Sequence, residues 1–356
     1  MSARSHILPV FIPHLGCPHH CVFCNQNAIT AADEDRALDT LEEASRTCEA
    51  LPENTELAFY GGSFTALPAK VQLRFLEAAQ KLMQGGRVTS IRLSTRPDAI
   101  DDESLARLRL YGVRTIELGA QSMRDEVLRL SGRGHTADDV RHAAGMIRAS
   151  GFQLVLQMMT GLPGDDDEGA VETARRLIAL QPDAVRIYPT VIVRGTGLER
   201  LWRAGEYPEH TVEDAVRVCA KLLPLFEAAG IPVIRLGLNP TEELSAGAAL
   251  AGAYHPALGE LVRSRILRNR AEEKIEALLG EKTGQTHRAG ESAPDRNAPL
   301  WTVELRVPPN RLSQMIGQKA GNRTWLQQRF PACGLVIRPD PACSDLQVSL
   351  ADPKEM

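Results

Sequence analysis

Cys17-Pro18-His19-His20-Cys21-Val22-Phe23-Cys24 follows directly on the apolar run Ile7-Leu8-Pro9-Val10-Phe11-Ile12. The run has the make-up of a buried strand, and the stretch after it crowds three thiols into one short loop. Three thiolates spaced Cys-x3-Cys-x2-Cys can grip one metal centre, and so compact a loop does not easily supply a fourth. An iron-sulfur cluster held by Cys17, Cys21 and Cys24 keeps one iron open to a further ligand. Two other readings use the same residues. Zinc accepts these thiolates with His19 or His20, although structural zinc loops usually come as two separated pairs. Reduced cysteines are also often small buried hydrophobes.

Outward from the loop, strand and helix alternate. Asp33 to Ala50 is helical, Leu57-Ala58-Phe59-Tyr60 is a strand running into Gly61-Gly62-Ser63, and Lys70 to Met83 is helical again. Strands follow over Ser90–Thr95, Thr115–Gln121, Phe152–Thr160, Ala184–Val193 and Pro232–Leu236, with helical stretches between them. That alternation predicts parallel strands joined by right-handed crossovers. The fold class is α/β, and six or seven units make an incomplete (β/α)6-type barrel with its site at the C-terminal ends of the strands. The cysteine loop, Gly61-Gly62, Arg96-Pro97 and Gly161-Leu162-Pro163 all fall at that end.

Polar residues two apart reinforce the placement. Glu117, Gly119 and Gln121 share one strand face, as do Arg186, Tyr188 and Thr190. Inward charges need partners or a ligand. An ion pair between Glu117 and Arg186 that holds the barrel together is one reading; contact with a ligand is the other.

The chain has 356 residues, enough for a large domain and a small one. Its net charge of -4 sets up no global field for nucleic acid or membrane, and 43% hydrophobic with 24% charged residues is ordinary for a soluble protein. No apolar run is long enough to span a membrane and no signal peptide is legible, so a cytoplasmic location is expected. Cys48, Cys219, Cys333 and Cys343 show no paired spacing and are read as structural.

The loop, with the aromatic Phe23 before its last cysteine, resembles the signature of the radical S-adenosylmethionine (SAM) enzymes. The resemblance implies a 4Fe-4S cluster on Cys17, Cys21 and Cys24, with SAM chelating the fourth iron and split by an electron from the cluster to start radical chemistry. Across Pro9 to Gly237 the chain is similar to the radical domain of the Elongator catalytic subunit and its stand-alone bacterial relatives. The similarity runs through Ser94-Thr95-Arg96-Pro97-Asp98, Ile116 to Ser122, Arg133-Gly134-His135-Thr136 and Tyr188 to Leu198. A more distant likeness, through Gln121-Ser122 and Gly161 to Gly164, is to oxygen-independent coproporphyrinogen dehydrogenase. Carried over, Gly61, Gly62 and Ser63 would meet the amino group of SAM, Phe23 would lie near the adenine, and Gln121 and Gln157 would contact the ribose or methionine part. Arg133 would pair the carboxylate. Ser94 stands where relatives carry Glu, and Gln157 where several carry an acid. The resemblance also implies an electron donor such as flavodoxin or ferredoxin.

The C-terminal part reads differently. Residues 1–240 form the expected barrel domain, 241–299 a helical extension and linker, and 300–356 a small α+β module. Strand, helix, the turn Gly317-Gln318-Lys319-Ala320-Gly321, helix and strand together are similar to a KH RNA-binding module, with Ala320 where its second glycine belongs. Arg306, Arg311, Lys319, Arg323, Arg329 and Arg338 lie in a stretch with no Asp or Glu, a bias that fits phosphate contact. The expected function is radical SAM chemistry on tRNA or another RNA. A small metabolite or tetrapyrrole as substrate, and a zinc-bound RNA-binding protein without turnover, are the alternatives. Glu117, Arg186, Tyr188, Arg194 and Lys319 are the candidates for substrate contact.

Overall fold

A computed structural model describes residues 6–12, 17, 19–24, 34–238, 247–283 and 301–351. The chain divides into two compact units, one of residues 1–218 with 222–256, the other of 219–221 with 257–356.

In the first unit seven strands pair in parallel and almost in chain order. They are β1 (Ile7–Phe11), β2 (Thr55–Tyr60), β3 (Val88–Thr95), β4 (Val113–Gln121), β5 (Gln153–Thr160), β6 (Ala184–Pro189) and β8 (Val233–Leu236). Helices α1 (Glu34–Arg46), α2 (Ala69–Gln84), α3 (Asp102–Leu110), α4 (Asp125–Leu130), α5 (Ala137–Ala149), α6 (Asp167–Ala179), α7 (Gly197–Arg203) and α8 (Val212–Ala228) fill the connections. Their starts follow capping chemistry: Asp101 and Thr136 each accept from the backbone N–H three residues on.

One sheet face is apolar and fully covered. Leu57, Phe59, Leu93, Ile116, Leu118, Leu156 and Ile187 are buried there, and Phe75, Leu76 and Ile147 of the helices are buried as well. The alternate positions are polar and face inward. Tyr60 on β2 and Arg186 on β6 sit four strands apart in the sheet order, yet their side chains hydrogen-bond at 3.0 Å. A flat sheet would hold those strands about 19 Å apart, so the sheet curls into the partial barrel that the strand-helix alternation predicts. Two local features were not foreseen. The run from Ala184 breaks after Pro189, and its last part, β7 (Val191–Val193), pairs antiparallel with β9 (Ala249–Gly252).

The second unit holds α9 (Leu258–Thr283), β10 (Trp301–Val307), α10 (Leu312–Ile316), α11 (Gly321–Arg329), β11 (Cys333–Pro339) and β12 (Gln347–Leu350). β10 is central, parallel to β11 and antiparallel to β12. Leu267, Ala271 and Ile275 of α9 share one core with Val303, Leu305, Met315 and Leu326. The helix expected in the 241–299 extension is therefore a structural part of the small module. The helix runs through Thr283, and residues 284–299 of the expected extension and linker lie outside the described residues. Among the described residues no helix is long and apolar enough to cross a membrane.

The basic bias of the tail is largely cancelled in space. Arg306 and Arg338 pair with Glu304, Arg311 with Asp345, and Arg329 with Glu272 and Glu276. All these acids lie outside the acid-free stretch, which is why local sequence did not reveal them. Lys319 and Arg323 have no ion pair among the described residues.

Candidate functional site

The cysteine loop leaves β1 at the C-terminal rim and is clamped from two sides. Val22 N–H donates to Ser131 O at 3.0 Å, and Leu198 N–H donates to Val22 O at 2.6 Å. A Cβ at Gly132 would come within 3.1 Å of His20 O, and one at Gly197 within 3.2 Å of Val22 Cα. Both glycines are thus required by close backbone approach. Thr196 caps α7 by accepting from Glu199 N–H at 3.1 Å, so the Arg194–Leu198 stretch serves largely to grip the loop. Phe23 packs with Val22 against Ile192, Leu198 and Tyr207.

Cys21 is buried, whereas Cys17 and Cys24 are partly exposed. Cys24 N–H donates to Cys21 O at 3.0 Å, closing the turn between the last two thiols. Burial pushes the Cys24 thiol up to about 12, and the charges of Cys21 and Cys17 push the same way. Burial is thus the main obstacle to ionising Cys24, the charges of the other two thiols add to it, and a cationic group offsets both. Among the described residues no three His, Cys, Asp or Glu side chains close on a point that a single metal ion could occupy. A four-iron cluster asks for a looser set, because each thiolate takes a different iron.

Two guanidiniums face the sulfurs. Arg133 Nη1 donates to Cys21 Sγ at 3.4 Å and Nη2 to Gly119 O at 2.7 Å. Arg96 Nη1 donates to Cys17 Sγ at 3.5 Å, while Asp98 accepts from Arg96 Nε and Nη2 at 2.9 and 3.0 Å. Burial disfavours the Arg96 cation, but Asp98 outweighs it and raises the pKa. His19 lies 3.8 Å from the same carboxylate.

Around Arg133 lie polar atoms that the protein does not satisfy. Gln121 Oε1, Arg133 Nε and His135 Nδ1 are buried without a partner among the described residues. Gln121 ends β4 with φ of 64°, a left-handed conformation costly for a side chain of its kind. His135 Nε2 donates to Ala120 O at 3.2 Å, leaving Nδ1 as an acceptor, and burial followed by Arg133 lowers its pKa to about 4. Two acceptors and a guanidinium donor, orphaned beside three thiols, fit a ligand that carries an amine, hydroxyls and a carboxylate.

Below this rim a dense network ties the interior together, with Arg186 Nε the atom of it left without a partner among the described residues. Glu117 Oε1 accepts from Tyr60 at 3.0 Å, Arg92 at 2.9 Å and Arg186 at 2.8 Å, and Oε2 accepts from Gln157 Nε2 at 2.8 Å. Arg92 also bonds Glu56, at 2.8 Å. Burial alone would raise the Glu117 carboxyl, but Arg186 and Arg92 hold it below its ordinary value. The structure thus brings Glu117, Arg186 and Gln157 together in one network. Tyr188 sits two residues above Arg186, with its phenol pushed up by burial.

Other candidates have different surroundings. Ser63 Oγ accepts from Arg96 N–H at 3.1 Å and bonds Thr95 at 3.0 Å, fixing the β2 and β3 ends together. Gly61 takes φ of 97° directly after β2, and Gly62 follows it. Ser94 pairs in register with Glu117. Arg194 is exposed, and its backbone N–H donates to Ala248 O at 2.9 Å. Lys319 belongs to the second unit. Arg96, Asp98, His135, Tyr60 and Arg92 were not singled out from the sequence. Two signals in the sequence touch Arg96: its place before a proline at a strand's C-terminal end, and its place in the Ser94–Asp98 stretch that carries the resemblance.

The Radical SAM superfamily model matches residues 11–177, and the Radical_SAM C-terminal domain model matches residues 182–268. The chain belongs to the radical SAM superfamily. Members of this superfamily use a 4Fe-4S cluster and SAM, the cofactors that the thiols and orphaned polar atoms suit. Human Elongator complex protein 3 is 30% identical over 193 residues, which are 49% of this chain and 35% of that protein. The tRNA uridine(34) acetyltransferase of Methanocaldococcus jannaschii is 30% identical over 183 residues, 46% of this chain and 34% of that protein. The chain thus spans about a third of the curated relatives it matches. Among solved structures, archaeal Methanocaldococcus infernus Elp3 with an N-terminal deletion superposes with a TM-score of 0.57 at 23% identity, over 74% of this chain and 63% of that one. That likeness concerns the fold.

Proposed function

We propose that this radical SAM enzyme binds a 4Fe-4S cluster through Cys17, Cys21 and Cys24, cleaves SAM reductively there, and acts on RNA, with tRNA as its substrate. The observation that carries the site is that Arg133, which donates to Cys21 Sγ at 3.4 Å, lies with Gln121 and His135 in a group whose Gln121 Oε1, Arg133 Nε and His135 Nδ1 are orphaned at the C-terminal rim. Arg133 holds the carboxylate end of SAM, Gln121 its hydroxyls or amine, Phe23 the adenine side, and Gly61 and Gly62 expose backbone to the amine. The cluster, when bound, supplies the electron that breaks the sulfonium bond; a flavodoxin- or ferredoxin-type protein of the cytoplasm supplies it in turn.

Two features support RNA. One relative of the matched segment is named for modifying tRNA uridine. The small module presents the turn Gly317–Gly321, in which Lys319 and Ala320 take φ of 51° and 58°; Lys319 and nearby Arg323 are the cations that remain for phosphate once the ion pairs above are formed. Anaerobic incubation of reconstituted protein with dithionite and SAM, with and without tRNA, tests the reading by mass spectrometry of 5'-deoxyadenosine and of digested nucleosides. Cleavage stimulated by tRNA with a changed nucleoside is expected. Cleavage indifferent to RNA would remove the substrate assignment and leave the cofactor chemistry.

A further inference from the structure

Arg96 is 3% exposed and held at every donor. Asp98 chelates Nε and Nη2 at 2.9 and 3.0 Å, Arg133 O accepts from Nη2 at 2.5 Å, and the main-chain N–H is fixed by Ser63 Oγ at 3.1 Å. The remaining nitrogen, Nη1, points at Cys17 Sγ at 3.5 Å. Asp98 and Arg133 O hold the fork so that its one remaining nitrogen faces a sulfur, and keeping a cation buried there is costly unless its charge is used. Charge and hydrogen bonds at the ligand sulfurs are what a protein uses to set the potential of an iron-sulfur cluster.

We propose that Arg96, oriented by Asp98, is a positioning residue that raises the reduction potential of the cluster held by Cys17, and that the Arg96–Asp98 pair fixes the size of that effect. This rests on the cofactor reading above. The step concerned is the addition of one electron, taken from dithionite in the test, to the bound oxidised cluster. The added negative charge is stabilised by the guanidinium beside the sulfur. Asp98 opposes that effect while it holds the fork in place, so removing either partner moves the potential in opposite directions.

The test is anaerobic redox titration of the reconstituted full-length protein, followed by electron paramagnetic resonance of the reduced cluster, with iron and sulfide counted in every sample. R96Q is expected to lower the reduced-to-oxidised ratio at a fixed poise by tenfold or more, which is about 59 mV for a one-electron couple. D98N is expected to raise it, the double variant R96Q/D98N to fall between, and R96K, which keeps the charge, to stay within threefold of wild type. Opposite signs for R96Q and D98N are the signature, because mere loosening of the loop would move both the same way. If R96Q takes up no cluster, D98N and R96K decide the matter by the same criteria. Ratios for R96Q and D98N within twofold of wild type, or shifted in one direction together, overturn the proposal while leaving the cofactor assignment intact. A wild-type protein that binds no four-iron cluster overturns both.

Discussion

The rim and the interior of the partial barrel are built from the same residue types and end in opposite states. In the interior, Glu117 receives four donors from four other strands, and two glutamates answer two arginines. At the rim, four residues further along the same strand, Gln121 is held in a left-handed conformation with its carbonyl oxygen orphaned, and Arg133 and His135 keep an orphaned guanidinium and ring nitrogen respectively. The interior leaves one atom of its network, Arg186 Nε, without a partner among the described residues, whereas the rim leaves three beside the thiols; a nearly satisfied buried network holds a structure together, and a cluster of unsatisfied groups beside reactive ones suits a ligand. The contrast separates the two readings of inward charge that the sequence left open. It favours Glu117 and Arg186 as the ties that curl the sheet, and it supports the proposal that SAM is contacted higher, around Gln121 and Arg133.

The largest effect should come from breaking the rim at its ligands. Cys21→Ala removes the buried thiol of the three, and two thiolates do not retain the cluster. Iron in the reconstituted variant should fall to background, with 5'-deoxyadenosine formation lost, while circular dichroism stays that of the wild type. Iron content equal to wild type would break the contrast at its root.

The interior should fail in the other manner. Glu117→Gln leaves Arg92 and Arg186 facing a neutral amide in a buried site. Stripping one partner from a buried charge network costs about 3–5 kcal/mol. Urea unfolding of the cluster-free variant under anaerobic conditions should show a loss of that order. A stability within 1 kcal/mol of wild type, by the magnitude expected of surface changes, would show that the network is not what closes the barrel.

The rim also makes a prediction in pH. His135 is buried neutral with its pKa lowered to about 4, whereas in the unfolded chain it titrates near its ordinary 6.5. Between those values the unfolded state binds the extra proton, so stability is full above about 6.5 and declines as pH falls toward 4. At 1.36 kcal/mol per unit the decline is at most about 3 kcal/mol. Denaturation midpoints of cluster-free protein at pH 5 and pH 7.5 should differ accordingly, and His135→Asn should flatten the difference over that window. An unchanged slope in the variant would assign the pH dependence to other groups.

Much of this was legible because it is local or periodic. The cysteine spacing lies within one loop, and the inward set Glu117, Gly119, Gln121 repeats every two residues, so both could be read without a fold. Arg96 was hidden because its contact to Cys17 spans 79 positions of chain, and nothing in the motif says which way the guanidinium turns. The tail misled for the same reason. Its arginines look unopposed until β10, the segment before β12 and α9 bring Glu304, Asp345, Glu272 and Glu276 against them. The break after Pro189 and the edge strand β12 escaped because strands of three and four residues carry too few alternations to register.

The finest separation of structure from ligand binding comes at Gln121 itself. Its left-handed backbone costs about 1–2 kcal/mol in a residue with a Cβ, and its buried carbonyl has no partner among the described residues. Gln121→Gly relieves both, against the entropic penalty of a glycine, about 0.5–1 kcal/mol. The cluster-free variant should therefore be as stable as wild type or more so, by about 1 kcal/mol. If the strain is maintained for the cofactor, the same variant must bind SAM more weakly, by about tenfold for one lost hydrogen bond of ~1.4 kcal/mol. Equilibrium dialysis of SAM on the reconstituted enzyme, set beside urea unfolding, reads the two quantities independently. A gain in stability with undiminished SAM affinity would make Gln121 a flaw in the strand rather than part of the site; loss of stability would place it with Glu117, among the residues that hold the barrel.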